Sequence, residues 1–170
     1  MTEIRYTPIG VIHSPFAEPA GVPIQGAVEN KVDAVAEVFS EFAEGLTDLD
    51  GFSHAILIYH FHKSKKYKLK VVPYLDKVKR GVFATRAPSR PNSIGLTVVQ
   101  ILKIEKNKIY FRNADMIEGT PLLDIKPYIP DVDIQQVRRI GWLEGKVYRM
   151  ETTQDDSRFQ AKENDGMMEE

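Results

Sequence analysis

Hydrophobic residues in this chain occur in short runs, separated by turns rich in proline, glycine and charged residues. The clearest run, residues 53–62, is almost entirely apolar or aromatic, which is typical of a strand with both faces covered. Similar runs predict strands at 6–13, 26–32, 69–72, 82–85, 94–103, 109–112 and 122–125, with a weaker alternation at 35–39. Residues 41–46 are typical of one helical turn ended by Gly45. Because the strands are many and leave little room for crossovers, the pattern predicts an all-β fold, a single closed or nearly closed β-barrel with short helical turns.

The C-terminal part of the chain has a different pattern. Four apolar residues are spaced as on a helix, namely Val137, Ile140, Leu143 and Val147. Gly141 and Gly145 weaken that helix, and we expect a C-terminal arm that Trp142 packs on the barrel or on a partner subunit. Residues 151–170 hold seven acidic and two basic residues and few large apolar ones, which indicates a disordered tail. The predicted organisation is one domain at 1–150 followed by this tail.

Composition limits the compartment and the class of protein. A chain of 170 residues can bury one well-filled core. The absence of cysteine excludes disulfides and thiolate metal sites and is consistent with a reducing compartment. The N-terminus lacks the apolar segment of a signal peptide, and no apolar run approaches the roughly 20 residues of a membrane helix. We therefore expect a cytoplasmic protein that does not associate with a membrane.

Charge is strongly segregated along the chain. Residues 63–90 contain ten Lys or Arg and a single acid, Asp76, so this segment carries +9 while the whole chain carries −1. A basic block of this kind favours an anionic partner, most commonly nucleic acid. A solvated lysine-rich hairpin is the alternative interpretation.

A long polar loop follows this block and continues into the next predicted strand. Pro88 and Pro91 make the loop stiff, because each fixes its own φ and restricts the preceding residue. Arg86, Arg90 and Asn92 stand beside the prolines. A simple turn would need only two residues, so a rigid loop with two cations indicates a functional site.

A second dense stretch lies at residues 115–130, where carboxylates, a lysine and a tyrosine alternate with apolar residues. In an extended chain Asp124, Lys126 and Tyr128 face the same side. Such a face can hold a zwitterionic ligand or shift the pKa of a carboxylate. An edge strand with a solvated charged face is the other interpretation.

Among the four histidines, His60 and His62 share a strand face and could bind a metal ion. No acid stands at ligand spacing beside them, so we predict no metal site. The chain also lacks any Gly-x-Gly sequence and any Walker A motif, which excludes the common nucleotide-binding loops.

Five stretches together resemble the TrmO family, also called TsaA-like, YaeB or VirR-like. They lie at residues 9–16, 50–54, 81–86, 90–96 and 119–130. Ser93 and Glu118 depart mildly from the family pattern, which usually has Pro and Asp there. The resemblance implies a β-barrel that binds S-adenosylmethionine and forms a homodimer. It also implies methylation of N6 of threonylcarbamoyladenosine at position 37 of tRNA, in the anticodon stem-loop.

The resemblance implies a set of site residues as well. The cofactor pocket would be formed by Gln25, Gly26, Ala27, Phe61, His62, Arg86, Leu96 and Asp115. Arg86, Arg90 and Asn92 would orient the modified base, and Asp115 or Asp124 would accept its proton. Lys126 and Tyr128 would contact the substrate, the lysine block would meet the phosphates of the stem, and Phe16 or Tyr128 would stack on a base.

Three functional hypotheses follow from the sequence. The first is an S-adenosylmethionine-dependent tRNA methyltransferase that uses the residues above. The second is a non-catalytic module that binds S-adenosylmethionine or RNA. The third is a metal hydrolase built on His60 and His62.

Overall fold

Six antiparallel strands form a closed barrel in the computed structural model, which describes residues 3–24 and 31–160. The described strands, in chain order, are β1 (Gly10–His13), β2 (Asp33–Val38), β3 (His54–His60), β4 (Lys70–Val71), β5 (Arg80–Gly81), β6 (Ile94–Glu105), β7 (Lys108–Arg112) and β8 (Thr120–Pro127). Neighbouring strands around the barrel follow the order β1-β2-β7-β6-β3-β8, and β1 pairs with β8 to close it. The predicted all-β barrel is confirmed.

The described helices are short. They are one α-helix, α1 (Pro130–Asp133), and 3₁₀ turns at Ser40–Leu46, Leu49–Gly51, Val82–Ala84, Gly141–Leu143 and Val147–Arg149. The helical turn predicted at 41–46 is therefore confirmed. Positive φ angles at Gly141 (60°) and Gly145 (72°) interrupt the helical spacing of the C-terminal arm, so it forms two separate turns.

The barrel interior is the main core. Alternate residues point inward, and the largest fully buried ones include Ile12, Leu57, Val99, Phe111 and Leu122. The alternation also holds in β3, whose outward residues are half-buried except for the exposed His60. The sequence prediction that both faces of this strand are covered was wrong, since only the inward face joins the core.

The strand boundaries differ from the sequence prediction in several places. The first strand is shorter than predicted and begins at Gly10, whereas the weak alternation at 35–39 is a full barrel strand, β2. The strand expected at 26–32 falls mainly outside the described residues. The strand expected at 82–85 is wrong, because Val82–Ala84 forms a 3₁₀ turn directly after β5.

Residues 61–93, which leave the barrel after β3 and return at β6, are called the cationic lobe here. They contain the small β4–β5 sheet and a separate hydrophobic cluster of Val71, Val82 and Ala87. Asp76 ties the lobe together through Arg80 (2.7 Å) and ties it to the C-terminal arm through Lys146 (3.2 Å). The Trp142 indole N–H donates to the Ala84 carbonyl (2.7 Å), so the arm packs on this lobe.

The C-terminal strap, defined here as residues 153–160, is ordered against the rest of the molecule. Asp155 exchanges backbone hydrogen bonds with Gly21 and Val22, and the Ile24 N–H donates to Thr153. Phe159 packs on the hydrophobic cluster of the lobe. The expectation of disorder from residue 151 onward therefore does not hold for the strap, because backbone pairing and one buried aromatic ring fix it. Residues 161–170 lie outside the described part.

Within the described part of the chain, no helix has the length and apolar character required to cross a membrane.

Candidate functional site

A cavity of about 380 Å³ opens where β3 ends and where β6 and β8 begin. Its walls come from the barrel, the cationic lobe, residues 115–117 and the C-terminal strap. This volume lies within the roughly 300–1,000 Å³ that small-molecule sites usually occupy. The cavity is therefore large enough to take a cofactor-sized ligand.

A buried hydrogen-bond network forms the barrel side of the cavity. The Thr97 hydroxyl donates to Asp115 Oδ1 (2.7 Å), and the Tyr59 hydroxyl lies 3.4 Å from the same oxygen and 3.1 Å from Thr97 Oγ1. Tyr59 and Thr97 are each 3% exposed. Burial and the Asp115 charge raise the pKa of Tyr59 well above its ordinary value, so the phenol stays protonated and can donate. The network fixes the direction of the Asp115 carboxylate.

Strand pairing explains how this network arises. Tyr59 lies opposite Gly95 in the β3–β6 ladder, and Thr97 follows two residues later on the same inward face. The Tyr59 and Phe61 rings meet edge to face, with centroids 5.4 Å apart. A Cβ on Gly95 would overlap the Tyr59 ring and lie 2.9 Å from Phe61 Cζ, so this position requires glycine. The missing side chain lets two aromatic rings pack beside the cavity.

His62 lies in the cavity wall directly after β3. Its Nδ1 is buried and has no hydrogen-bond partner among the described residues. Burial, followed by the charges of Lys63 and His60, lowers the pKa of His62, so the ring is neutral at neutral pH. A neutral imidazole with an unpartnered ring nitrogen is suited to bind a polar ligand atom.

The two arginines of the long loop have different surroundings. Arg86 is exposed and lines the cavity at its rim. Arg90 also lines the cavity, but its guanidinium donates to the carbonyls of Thr85 (2.9 Å), Val82 (3.3 Å) and Ala87 (3.4 Å). These bonds hold the Val82–Ala84 turn and explain why it is not a strand. Arg90 therefore stabilises the loop from which Arg86 projects.

The structure brings together six residues that the sequence analysis selected. They are Phe61, His62, Arg86, Arg90, Leu96 and Asp115, and all of them line the cavity. The other cofactor residues implied by the resemblance, Gln25, Gly26 and Ala27, lie outside the described residues.

Four selected residues are not part of the cavity lining: Asn92, Asp124, Lys126 and Tyr128. Asp124 and Lys126 share the outer face of β8, as predicted, and form an ion pair of 2.8 Å. Tyr128 follows at the same alternation and lies beside His54 of β3, with ring centroids 6.3 Å apart. The expectation that Asp124 and Arg86 share one cavity is not met, because the β3–β8 pairing shifts register between Leu122 and Asp124, so Leu122 points into the barrel and Asp124 points out of it.

Sequence reasoning missed several residues of the cavity wall, among them Tyr59, Tyr74, Asp155 and Phe159, and it also missed Thr97, which lies behind the wall and donates to Asp115. Thr97 did leave a signal, because it is a polar residue at an inward position of an apolar strand. Tyr74 and Phe159 left no local signal, since they meet across 85 residues of sequence. The structure adds no support to the hypothesis of a metal hydrolase built on His60 and His62. Within the described part of the chain, no three His, Cys, Asp or Glu side chains lie close enough together to hold a metal ion.

Comparisons with known proteins agree with this architecture. Residues 11–134 match the family described as tRNA-methyltransferase O N-terminal domain. A probable S-adenosyl-L-methionine-binding protein of Pyrococcus abyssi is 53% identical over 92% of this chain and 85% of its own length. A tRNA (adenine(37)-N6)-methyltransferase of Rattus norvegicus is 42% identical over 76% of this chain but only 32% of its own length.

This chain is also similar to solved structures. The crystal structure of TrmO from Pseudomonas aeruginosa superposes with a TM-score of 0.69 at 35% identity, covering 84% of this chain and 63% of that one. This chain thus spans less than two thirds of the solved relative and about a third of the rat enzyme. On the evidence of the matched domain, the sequence identities and the shared barrel, the chain belongs to the TrmO (tRNA-methyltransferase O) N-terminal domain family.

Proposed function

We propose that this protein is an S-adenosylmethionine-dependent tRNA methyltransferase that modifies N6 of threonylcarbamoyladenosine at position 37. The observation that carries the proposal is the Asp115 carboxylate, which Thr97 and Tyr59 hold inside a cofactor-sized cavity with Arg86 at its rim. Membership of the TrmO family supports the same assignment.

The cofactor is S-adenosyl-L-methionine, and the residues of the cavity fit it. When bound, it supplies an electrophilic methyl group attached to a sulfonium. The fixed negative charge of Asp115 is suited to the positively charged end of such a ligand. The unpartnered His62 Nδ1 offers a polar contact, while Phe61 and Leu96 supply apolar surface. The carboxylate, the imidazole nitrogen and the apolar side chains of the cavity therefore match a ligand that carries both positive charge and an aromatic base.

Asp115 is better suited to hold positive charge than to take a proton. Its Oδ1 lies within reach of two hydroxyl donors, and hydrogen bonds to a carboxylate favour the charged form. We therefore assign Asp115 to binding and orienting the cofactor.

Arg86 is positioned to orient the substrate base. The threonylcarbamoyl group carries a carboxylate, and a guanidinium binds a carboxylate through two parallel hydrogen bonds. Arg90 keeps the loop of Arg86 in place through its three carbonyl contacts. Fixing the base in this way contributes to the rate, since orientation can remove several kcal/mol, up to about 7–11, from a bimolecular barrier.

The cationic lobe is the proposed contact surface for the tRNA. Lys65, Lys66, Lys68, Lys77 and Lys79 are exposed on it, the exposed ring of Tyr67 lies among them in sequence, and the exposed ring of Phe83 follows them. Lysines neutralise phosphates, while exposed rings stack on unpaired bases. The lobe also supplies Arg86 and Lys63 to the cavity, so the charged surface and the cavity adjoin.

The test is transfer of labelled methyl from S-adenosylmethionine to two matched tRNAs, one carrying threonylcarbamoyladenosine at position 37 and one with plain adenosine there. We expect label in the first tRNA alone, located on N6 of the modified base by nucleoside mass spectrometry. Label in the unmodified tRNA alone would reject the threonylcarbamoyl substrate but keep the methyltransferase. Absence of label in both would reject the enzyme.

A non-catalytic S-adenosylmethionine-binding module is the second candidate function. Relatives in Pyrococcus abyssi and Archaeoglobus fulgidus carry names that state only cofactor binding. Titration calorimetry distinguishes the two functions, because the module predicts S-adenosylhomocysteine binding with no methyl transfer to any tRNA. The enzyme predicts both.

We further propose that the protein works as a homodimer in the cytoplasm, where tRNA is modified. Apolar residues that follow β8 are exposed, among them Val132 (65%), Ile134 (62%) and Val137 (71%). Such a patch is typical of a protein interface. Sedimentation analysis tests this, and a monomer at micromolar concentration would reject the dimer.

A further inference from the structure

The C-terminal strap lies beyond residue 134, where the match to the family domain ends, yet it forms part of the cavity wall. Asp155, Phe159 and Gln160 line the cavity together with Tyr74 of the cationic lobe. The cavity is therefore completed by a segment outside the matched domain. The family match gives no role in ligand binding to the residues of that segment.

The strap is fixed on two sides of the cavity. On one side its backbone pairs with residues 21–24, with Gly21 N–H donating to Asp155 (2.9 Å) and Asp155 N–H donating to Val22 (2.8 Å). On the other side the Arg158 guanidinium donates to the Pro73 carbonyl (2.9 Å) and lies 4.9 Å from the Tyr74 ring centroid. A segment held at both ends can present side chains to a ligand with little loss of entropy on binding.

The side chains presented there combine aromatic surface with polar groups. Phe159 and Tyr74 meet edge to face with centroids 5.1 Å apart. The Tyr74 hydroxyl is buried beside the Asp155 carboxylate, and burial together with that carboxylate raises the pKa of Tyr74. The Asp155 carboxylate accepts from the Ser157 N–H (2.6 Å) through Oδ1 and retains acceptor capacity for further donors. Aromatic faces beside a carboxylate are suited to a nucleoside, whose base stacks and whose sugar hydroxyls donate.

We propose that the strap and Tyr74 form the nucleoside-binding part of the cavity, in which Phe159 packs on the adenine ring and Asp155 accepts from the ribose hydroxyls. This inference rests on the proposed function, since it assigns one half of the S-adenosylmethionine ligand. The barrel side of the cavity with Asp115 then receives the amino-acid half, whose ammonium and sulfonium charges are matched by the Asp115 carboxylate. Each half of the ligand thus meets a different wall of the cavity.

The test is titration of the full chain with S-adenosylhomocysteine. Phe159→Ala should weaken binding roughly 5- to 100-fold, because a stacked base contributes about that much. Phe159→Trp should bind within about threefold of wild type, since it keeps an aromatic face. Asp155→Asn should weaken binding about tenfold through loss of the charged acceptor. Tyr148→Ala, which removes a 74% exposed ring from the neighbouring turn, is the matched control and should bind as wild type does.

A second measurement needs no variant. In wild type, hydrogen exchange of the strap amides should slow when S-adenosylhomocysteine binds. Equal affinity of Phe159→Ala and wild type, or unchanged exchange of the strap at saturating ligand, would overturn the inference while leaving the proposed function intact. Failure of wild type itself to bind S-adenosylhomocysteine would instead remove the proposed function, and the inference with it.

Discussion

At the scale of single residues, the proposed cofactor site depends on how one carboxylate is held. Asp115 belongs to no strand, so its direction is set by side chains of the barrel wall. Thr97 and Tyr59 supply two hydroxyls from adjacent strands, and both are almost completely buried. Hydrogen bonds to a charged group contribute about 1.5–3 kcal/mol each, enough to decide the geometry of a site.

Replacing Thr97 by Val should therefore weaken cofactor binding by about tenfold, since the substitution keeps the shape and removes the donor to Asp115. Thr97→Ser keeps the hydroxyl and should restore most of the affinity. Titration with S-adenosylhomocysteine measures both variants, and thermal unfolding checks that each is folded. Unchanged affinity of a folded Thr97→Val would show that this bond does not position Asp115.

His62 predicts a dependence on pH. Burial lowers its pKa, so the folded protein keeps a neutral ring above that lowered value and gains a positive charge as the pH falls through it. Because the proposed ligand is cationic, affinity for S-adenosylmethionine should be constant above about pH 6.5 and should fall on acidification. His62→Gln should lose this dependence, while the exposed His60→Gln should keep it. A pH profile of affinity that is identical in His62→Gln and wild type would contradict this role.

At this scale the sequence predicted about half of the site. Arg86 and Arg90 were found because charged residues beside prolines stand out locally, whereas Asp115 was selected through the family resemblance. Thr97 and Tyr59 were missed because their partner lies 18 and 56 residues away, and no local pattern reports such a contact. Asp124 was wrongly expected beside Arg86, because a register shift in the β3–β8 pairing turns it away from the face of Leu122, and the sequence does not reveal such a shift.

At the scale of elements, the β3–β6 pair shapes the cavity. Gly95 lies opposite Tyr59, and the space of its missing side chain is filled by Tyr59 and Phe61. Sequence reasoning located both strands because their apolar runs are long. It placed a strand at 82–85 because β-branched and aromatic residues occur there, but the Arg90 guanidinium holds these residues in a turn. Tertiary hydrogen bonds thus override local strand propensity.

Replacing Gly95 by Ala should move the two aromatic rings and disturb the cavity. The added Cβ would lie 2.9 Å from Phe61 Cζ and overlap the Tyr59 ring, an overpacking that typically costs about 1–3 kcal/mol. We expect a lower melting temperature together with weaker binding of S-adenosylhomocysteine. Gly45→Ala, where an added Cβ meets nothing within 4 Å, is the control. If Gly95→Ala were as stable as that control and bound S-adenosylhomocysteine equally well, the close packing of Tyr59 and Phe61 on Gly95 would contribute neither to stability nor to binding.

At the scale of the whole molecule, the barrel carries two additions, the cationic lobe and the C-terminal strap. The barrel was predictable because it depends on short apolar runs and sparse helices. The strap was not, because its acidic composition resembles a disordered segment while its order comes from backbone pairing with residues 21–24. Both additions border the same cavity, so the barrel acts as a scaffold that brings distant segments together.

The cationic lobe predicts a salt-dependent interaction with tRNA. Replacing Lys65, Lys66 and Lys68 by Gln should weaken tRNA binding and reduce the slope of log affinity against log salt by about 2–3, since each phosphate contact contributes about 0.7–0.9. Affinity for S-adenosylhomocysteine should not change. Lys106→Gln, on the β6–β7 turn, is the control for an exposed lysine outside the lobe. A salt slope equal to that of the control would remove the lobe from the tRNA contact.

The most direct test of the account compares two carboxylates in one methyl-transfer assay on threonylcarbamoyladenosine-containing tRNA. Asp115 lines the cavity, whereas Asp124 pairs with Lys126 on the outer face of β8. We predict that Asp115→Asn lowers kcat/KM for S-adenosylmethionine by at least about tenfold, because a charged partner of the cofactor is lost. We also predict that Asp124→Asn transfers methyl at the wild-type rate. A fully active Asp115→Asn beside an inactive Asp124→Asn would contradict both predictions, because the reaction would then depend on the outer face of β8 and not on this cavity.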